Sequence, residues 1–294
     1  MELSQPAILR PVPRCARFLT LDLTTGSDPR ATLARLAELP ADASQVIGVG
    51  VPLLQALGGT LPGLRPFPVV SGPAGTFPST QGALWIGLTG DDPGAVLLGA
   101  RRTLAALGDG LRVEEDVATF KYADGRDLTQ YEDGTENPKD DQARQVALTE
   151  GQGPGLDQGS FVAIQRYVHD LTRMERMTTH QRDFVMGRNR ETNVELADAP
   201  VSAHVKRAAQ ESYDPPAFML RRSMPWGDAL RHGLYFIAYG ASLDAFERVL
   251  RRMAGEEDGV ADALFGFSRP ITGGYYFCPP LHQGRLDLRA FQKA

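Results

Sequence analysis

The densest run of chemically capable side chains is Tyr131-Glu-Asp-Gly-Thr-Glu-Asn-Pro138. Its carboxylates could move a proton, hold a cation or simply keep a loop soluble. Asp133-Gly134 and Asn137-Pro138 are turn dipeptides, so the run is a loop in every reading. An EF-hand calcium loop needs oxygen ligands at fixed spacing and a closing glutamate, and that pattern is absent. His204, in Ser202-Ala-His-Val-Lys-Arg207, is one of five histidines. A lone histidine is more often a hydrogen-bonded structural residue than a ligand, yet a neutral imidazole can serve as a single axial ligand to iron. Arg221 and Arg222 follow an apolar stretch and precede Met224-Pro225. They either face solvent, pair with acids, or present planar forked donors to a carboxylate. Arg188, after Gly187, offers the same chemistry as a weaker pattern.

Elements of regular period must hold these groups. Strands are expected over 16–23, 45–51, 82–88 and 112–122, with helices over 29–39 and 93–107. The second helix carries a proline near its start, Gly108 after its end, and Val96, Leu97, Ala100, Leu104 and Leu107 on one side. The later chain repeats the rhythm: strands over 160–169, 217–220, 233–240 and 274–278, helices over 171–186 and 243–254. Each half reads roughly β-α-β-β-α-β, the order of a ferredoxin-like unit. The expected fold is α+β: tandem ferredoxin-like domains of the dimeric α+β barrel type, antiparallel sheets with helices packed on them. We divide the chain into residues 1–125, a connecting segment 126–158 that carries the Tyr131–Pro138 run, and residues 159–294. The stretch 124–156 is polar and aperiodic, as functional or linking loops are.

Composition narrows the classes. The 294 residues are 42% hydrophobic and 23% charged, which fits a globular chain able to enclose a cofactor. A net charge of -5 gives no reason to expect a nucleic-acid partner. The two cysteines, Cys15 and Cys278, are far apart, so neither a disulfide framework nor a CxxCH attachment is indicated. No apolar run suggests a membrane span or a secretory signal, and cytoplasmic residence is the default expectation.

Together the motifs resemble the dye-decolorising peroxidases, best the compact bacterial subgroup called type B. The residues that carry the resemblance are Tyr131–Pro138, Gly187-Arg188, Ser202–Arg207, Leu220-Arg-Arg-Ser-Met-Pro225, Gly233-Leu-Tyr-Phe-Ile-Ala-Tyr239 and Asp262-Ala-Leu-Phe-Gly-Phe-Ser-Arg-Pro270. Each is weak alone; their order and spacing are specific. The family's distal GxxDG signature reads Gln130-Tyr131-Glu132-Asp133-Gly134 here, with Gln130 in place of the first glycine. The resemblance implies one haem b per chain and reduction of hydrogen peroxide via a ferryl intermediate, with bulky dyes, phenols or other organic molecules as one-electron donors. It implies Asp133 as distal acid, Arg221 as distal arginine and His204 as proximal iron ligand. Arg188 becomes the propionate partner. Ser223 stands where the subgroup usually has a small polar distal residue, often asparagine, and Asp262 becomes the acceptor for the other nitrogen of His204.

An aspartate base has an unperturbed pKa of about 3.9, so turnover should peak on the acid side. Trp85, Trp226, Tyr275 and Tyr276 are candidates for electron relay, against the plainer reading that they are core aromatics. A haem carrier without turnover would need His204 but not both Asp133 and Arg221. A chlorite-dismutase-like enzyme would need the arginine but not the aspartate, and a ligand-binding α+β barrel would need no haem. A homo-oligomer, dimer or larger, is implied by resemblance only. No apolar tail follows Arg289-Ala-Phe-Gln-Lys-Ala294, so docking inside an encapsulin shell is not supported.

Overall fold

The computed structural model describes residues 3–291. Its first half holds β1 (Cys15–Leu23), α1 (Pro29–Glu38), β2 (Gln45–Gly50), β3 (Leu84–Gly90), α2 (Pro93–Leu107) and β4 (Leu111–Phe120). These strands pair antiparallel in the order β2-β3-β1-β4. The second half holds β5 (Ser160–His169), α3 (His204–Arg207), β6 (Met224–Gly227), β7 (His232–Gly240), α4 (Asp244–Ala254) and β8 (Gly274–Cys278). Its order is β8-β5-β7-β6, the same arrangement repeated. The two four-stranded sheets then join at both edges. Thr119 of β4 faces Trp226 of β6, while Gly50 of β2 faces Tyr276 of β8. The ring closes and neither sheet keeps an open edge at these seams.

Closure explains why the strands are apolar on both faces. In β1, Leu19 and Leu21 pack toward the helices, while Ala16 and Phe18 point into the barrel. Inside, Phe18 stacks on Tyr235 with ring centroids 4.6 Å apart, and Trp85 Nε1 donates to the Tyr235 hydroxyl at 3.1 Å. Trp85, Trp226, Tyr275 and Tyr276 are all buried, as core aromatics are. Helix α2 starts where Asp92 accepts from the Ala95 amide with proline next in line, and ends at Gly108, whose φ of 68° suits only glycine cheaply. Helix α4 buries Phe246, Val249, Leu250 and Met253, each worth about 1.5–3 kcal/mol of apolar transfer. That face forms the roof of the site described below.

Four local expectations need correction. The strand expected over 217–220 lies instead at Leu220–Arg221 and at β6. Pro225 obscured β6; it is tolerated because β6 pairs fully with β7 alone and meets β4 at a single residue. The helix expected over 171–186 is two short ones, Leu171–Glu175 and Thr179–Met186, because Thr178 caps the second with a reciprocal Gln181 bond. The polar segment contains a helix, Asp140–Ala147, whose burial of Ala143 and Ala147 was too small a signal to see. Leu97 of α2 is 41% exposed rather than packed.

Both cysteines are unpaired and buried. No helix among the described residues is long and apolar enough to cross a membrane. Residues 292–294, on which the expectation about a docking tail partly falls, lie outside the described residues.

Candidate active site

A cavity of 410 Å³ opens on the outer face of the second sheet, under α3 and α4. Alternation along the strands decides what it sees: Gln165, Tyr167 and His169 from β5, Leu234 and Phe236 from β7. Val249, Leu250 and Met253 of α4 close the apolar side. A narrower annex of 60 Å³ shares Asp127, Asp133, Gly134, Arg221 and Leu234 with it and adds Ser223 and Asn137.

His204 opens α3. Its Nδ1 lies 2.8 Å from Asp262 Oδ2, and the other Asp262 oxygen accepts from the Leu264 amide at 2.9 Å. The Asp262 carboxylate is fully enclosed, whereas the imidazole is 24% exposed on the cavity side. Burial pushes the His204 pKa down, but the Asp262 charge and hydrogen bond outweigh it and leave it raised; Arg221 pulls it down and Asp133 pushes it up. His204 thus feels both groups through the cavity it shares with them.

Helix α3 is only one turn long and needs an anchor. Arg207 supplies it: the buried guanidinium forks onto Asp258 at 2.7 and 2.8 Å and donates to the Arg252 carbonyl at 2.5 Å. The Arg207 hydrogen bonds hold Asp258 down at about 2. A depressed carboxylate stabilises the fold above its unfolded pKa of about 3.9 and loses that contribution as pH falls through its folded value. Asp258 is exposed, so salt weakens the effect. We expect Asp258→Asn to flatten the fall of thermal midpoint between about pH 4 and pH 2. A fall as steep as the wild type's would show that Asp258 does not carry this acid sensitivity.

The Tyr131–Pro138 loop is tied on both sides. Tyr131 donates to Asp183 at 2.5 Å, and that bond adds to burial in raising its pKa. Asn137 clamps the backbone of Arg221, accepting from its amide at 2.8 Å and donating to its carbonyl at 3.1 Å. A Cβ on Gly134, whose φ is +72°, would sit 2.6 Å from the Asn137 side chain, so glycine is required there. The loop and the strand bearing Arg221 are therefore one unit, and Asp133 and Arg221 enter the annex together. Arg221 Nε and Ser223 Oγ are buried without a hydrogen-bond partner. Such atoms call for a ligand or an ordered water.

Gln130 adopts φ +73°, the conformation for which glycine is the usual choice. It holds position by accepting from Arg126 through its carbonyl at 2.7 Å and from Arg190 through its side chain at 3.1 Å. Gln130→Gly keeps the carbonyl bond and relieves the backbone. We expect a gain of about 1 kcal/mol, read as a rise of about 2–4 °C in thermal midpoint. A lower midpoint would mean that the Arg190 bond outweighs the strain.

Of the six residues singled out from sequence, His204, Asp262, Asp133, Arg221 and Ser223 converge as described. Ser223 faces the annex rather than the main cavity. Arg188 lines the cavity mouth, where Glu136 accepts from it at 2.8 Å and the Asn193 carbonyl at 3.0 Å. The sequence reading missed Asp127 and His169. His169 is buried with Nδ1 at 2.8 Å from Ser268 Oγ and Nε2 at 3.3 Å from Asp127. Burial pushes Asp127 up, but His169 and two Thr129 hydrogen bonds outweigh it and hold it below its ordinary value. Nothing in local sequence signals a pair 42 residues apart.

The residues fit a haem. The cavity lies within the usual size range of small-molecule sites. Its α4 side is apolar, one imidazole with an oriented Nδ1 faces in, and buried polar atoms without partners stand at the annex. Comparison with known proteins agrees. Residues 124–283, more than half the chain, match the family model for the Dyp-type peroxidase C-terminal region. A dye-decolorizing peroxidase of Mycobacterium tuberculosis is 30% identical over 224 residues, 74% of this chain and 67% of that protein. One from Rhodococcus erythropolis is 30% identical over 292 residues, 92% of this chain and 85% of that one. A Rhodococcus jostii DypB variant solved in complex with heme superposes with a TM-score of 0.85 at 32% identity, covering 95% of this chain and 97% of its own. The chain belongs to the Dyp-type, or dye-decolorising, family of haem peroxidases.

Proposed function

We propose that the protein holds one haem b in the 410 Å³ cavity, with His204 Nε2 as the iron ligand, and reduces hydrogen peroxide there at the expense of an organic one-electron donor. The observation that carries this reading is the junction of cavity and annex: a histidine with its second nitrogen tied to a buried carboxylate, and an Asp133–Arg221 pair clamped into one unit by Asn137. The haem, when bound, supplies the redox chemistry. The chain's own residues do the rest. Asp133 takes the proton from the near oxygen of peroxide and returns it to the far oxygen, which then leaves as water. Arg221 gives a fixed positive charge where negative charge develops and never loses its proton. Ser223 Oγ orients a water in the annex. Arg188 exchanges its Glu136 partner for a haem propionate.

The annex, at 60 Å³, admits peroxide but no dye ring, so bulky donors such as dyes and phenols deliver electrons from outside it. The reading includes residence in the cytoplasm, supported by the two unpaired cysteines, and a homo-oligomer, supported by family resemblance.

The test is reconstitution with hemin, followed by stopped-flow mixing with peroxide and a dye. A histidine-type spectrum lost in His204→Ala, with rapid peroxide-dependent bleaching of the dye, supports the proposal. Haem binding without peroxide consumption would make the protein a carrier, and no haem binding would remove both readings.

A further inference from the structure

We propose that the protein carries a second ligand site, on the opposite face of the strands that line the haem cavity, built to bind a small aromatic carboxylate. This site is a separate cavity of 210 Å³. Successive residues of a strand point to opposite faces, and the two cavities divide them between themselves. On β7, Leu234 and Phe236 line the haem cavity, while Ile237 and Tyr239 line the second one. In the same way Arg221 faces the haem cavity and its neighbour Arg222 faces the second.

Arg222 is the reason to expect an anion. Its Nε donates to the Arg10 carbonyl at 2.6 Å, Nη1 to the Arg221 carbonyl at 3.0 Å and Nη2 to the Leu9 carbonyl at 3.2 Å. Three of the five guanidinium donors are thereby used, and two remain. No carboxylate among the described residues forms an ion pair with it. Burial holds its pKa below the ordinary arginine value. A half-buried cation held only by neutral carbonyls keeps two donors for an incoming carboxylate, which it can meet in a forked geometry. Arg10 adds a second positive charge at the rim; Asp91, exposed at the same rim, opposes it.

The rest of the lining selects the body of the ligand. Phe18, Val46, Met224 and Ile237 are buried and apolar; Tyr239, also buried, lies close enough to Arg222 for the two to interact electrostatically, and Ser44 and Thr89 add polar groups to the wall. An inorganic anion would leave those walls unfilled, and a multi-ring dye exceeds the volume. A single aromatic ring carrying a carboxylate satisfies both halves of the site. The proposal stands apart from the peroxidase reading, since the residues that line this cavity are not among those lining the haem cavity, Arg222 meeting it only through its bond to the Arg221 carbonyl.

The experiment uses haem-loaded protein with methyl-labelled methionine and 4-hydroxybenzoate as probe. Calorimetry should show one equivalent bound. The Met224 methyl resonance should shift, and those of Met186, Met219 and Met253, which line the haem cavity, should not. Arg222→Gln should weaken binding about tenfold to a hundredfold. Because Arg222 also ties down backbone carbonyls, Ala7→Phe, which fills the cavity from its wall, serves as a second variant and should abolish binding. Inorganic phosphate should not displace the probe. The proposal is overturned by absence of binding at millimolar probe, by shifts confined to the haem-cavity methionines, by displacement with phosphate, or by binding that survives both variants.

Discussion

Arg221→Leu is expected to lower the second-order rate of reaction with hydrogen peroxide by about 10²–10³-fold, and Asp133→Asn by about 10²–10⁴-fold, with haem content unchanged. The two substitutions remove different things. Leucine deletes the fixed charge and, being shorter, leaves the annex wider, so the loss should appear at every pH. Asparagine keeps the shape and the hydrogen bonding but cannot take a proton, so the loss should shrink when a soluble base such as acetate is added. The two effects should be non-additive, because Asp133 and Arg221 line one annex and would act on the same peroxide. The double variant should therefore be little slower than the worse single one. Stopped-flow rates at several pH values decide it. If Asp133→Asn retains the wild-type rate, Asp133 is not the base, and Asp127, which lines the same annex, becomes the residue to replace.

Much of this site was legible because its signals are local. The duplication could be read from strand and helix order, since period-2 and period-3.6 patterns survive without any residue identity between the halves. Gln130 announced itself as an odd residue in a glycine position, and its φ of +73° is the physical counterpart of that oddity. Five of the six residues taken from motif positions line one cavity system, and the sixth, Asp262, sits behind His204. What could not be read is long-range or depends on facing. His169 and Asp127 meet only because β5 ends beside the loop that precedes Tyr131. Closure of the two sheets into one barrel rests on the β2–β8 and β4–β6 seams, which are short and leave no pattern in either strand. Two adjacent arginines look equivalent on paper. Only the strand's alternation sends Arg221 to the haem cavity and Arg222 to the other face.

The largest effect on the cofactor itself should come from Asp262→Asn. Both partners of Asp262 are donors when His204 is a ligand: the Nδ1–H of the imidazole and the Leu264 amide. A carboxylate accepts both. An asparagine has one acceptor and one donor, so one of the two bonds must fail. If the oxygen stays with Leu264, the amide nitrogen faces His204 and favours the tautomer with its proton on Nε2, which blocks ligation. If the oxygen turns to His204, the part-buried Leu264 amide loses its acceptor, at a cost of about 1 kcal/mol. Either outcome loosens the haem. We expect hemin transfer to an excess of apomyoglobin to accelerate about 10–100-fold. In the fraction that keeps its haem, the ferric/ferrous midpoint potential should rise, because the imidazole loses the negative character that a buried carboxylate lends it. The two readouts separate positioning from mere destabilisation. A fold-wide loss of stability would speed hemin release without moving the potential, whereas unchanged release and an unchanged potential together would show that Asp262 shapes neither His204 nor the iron.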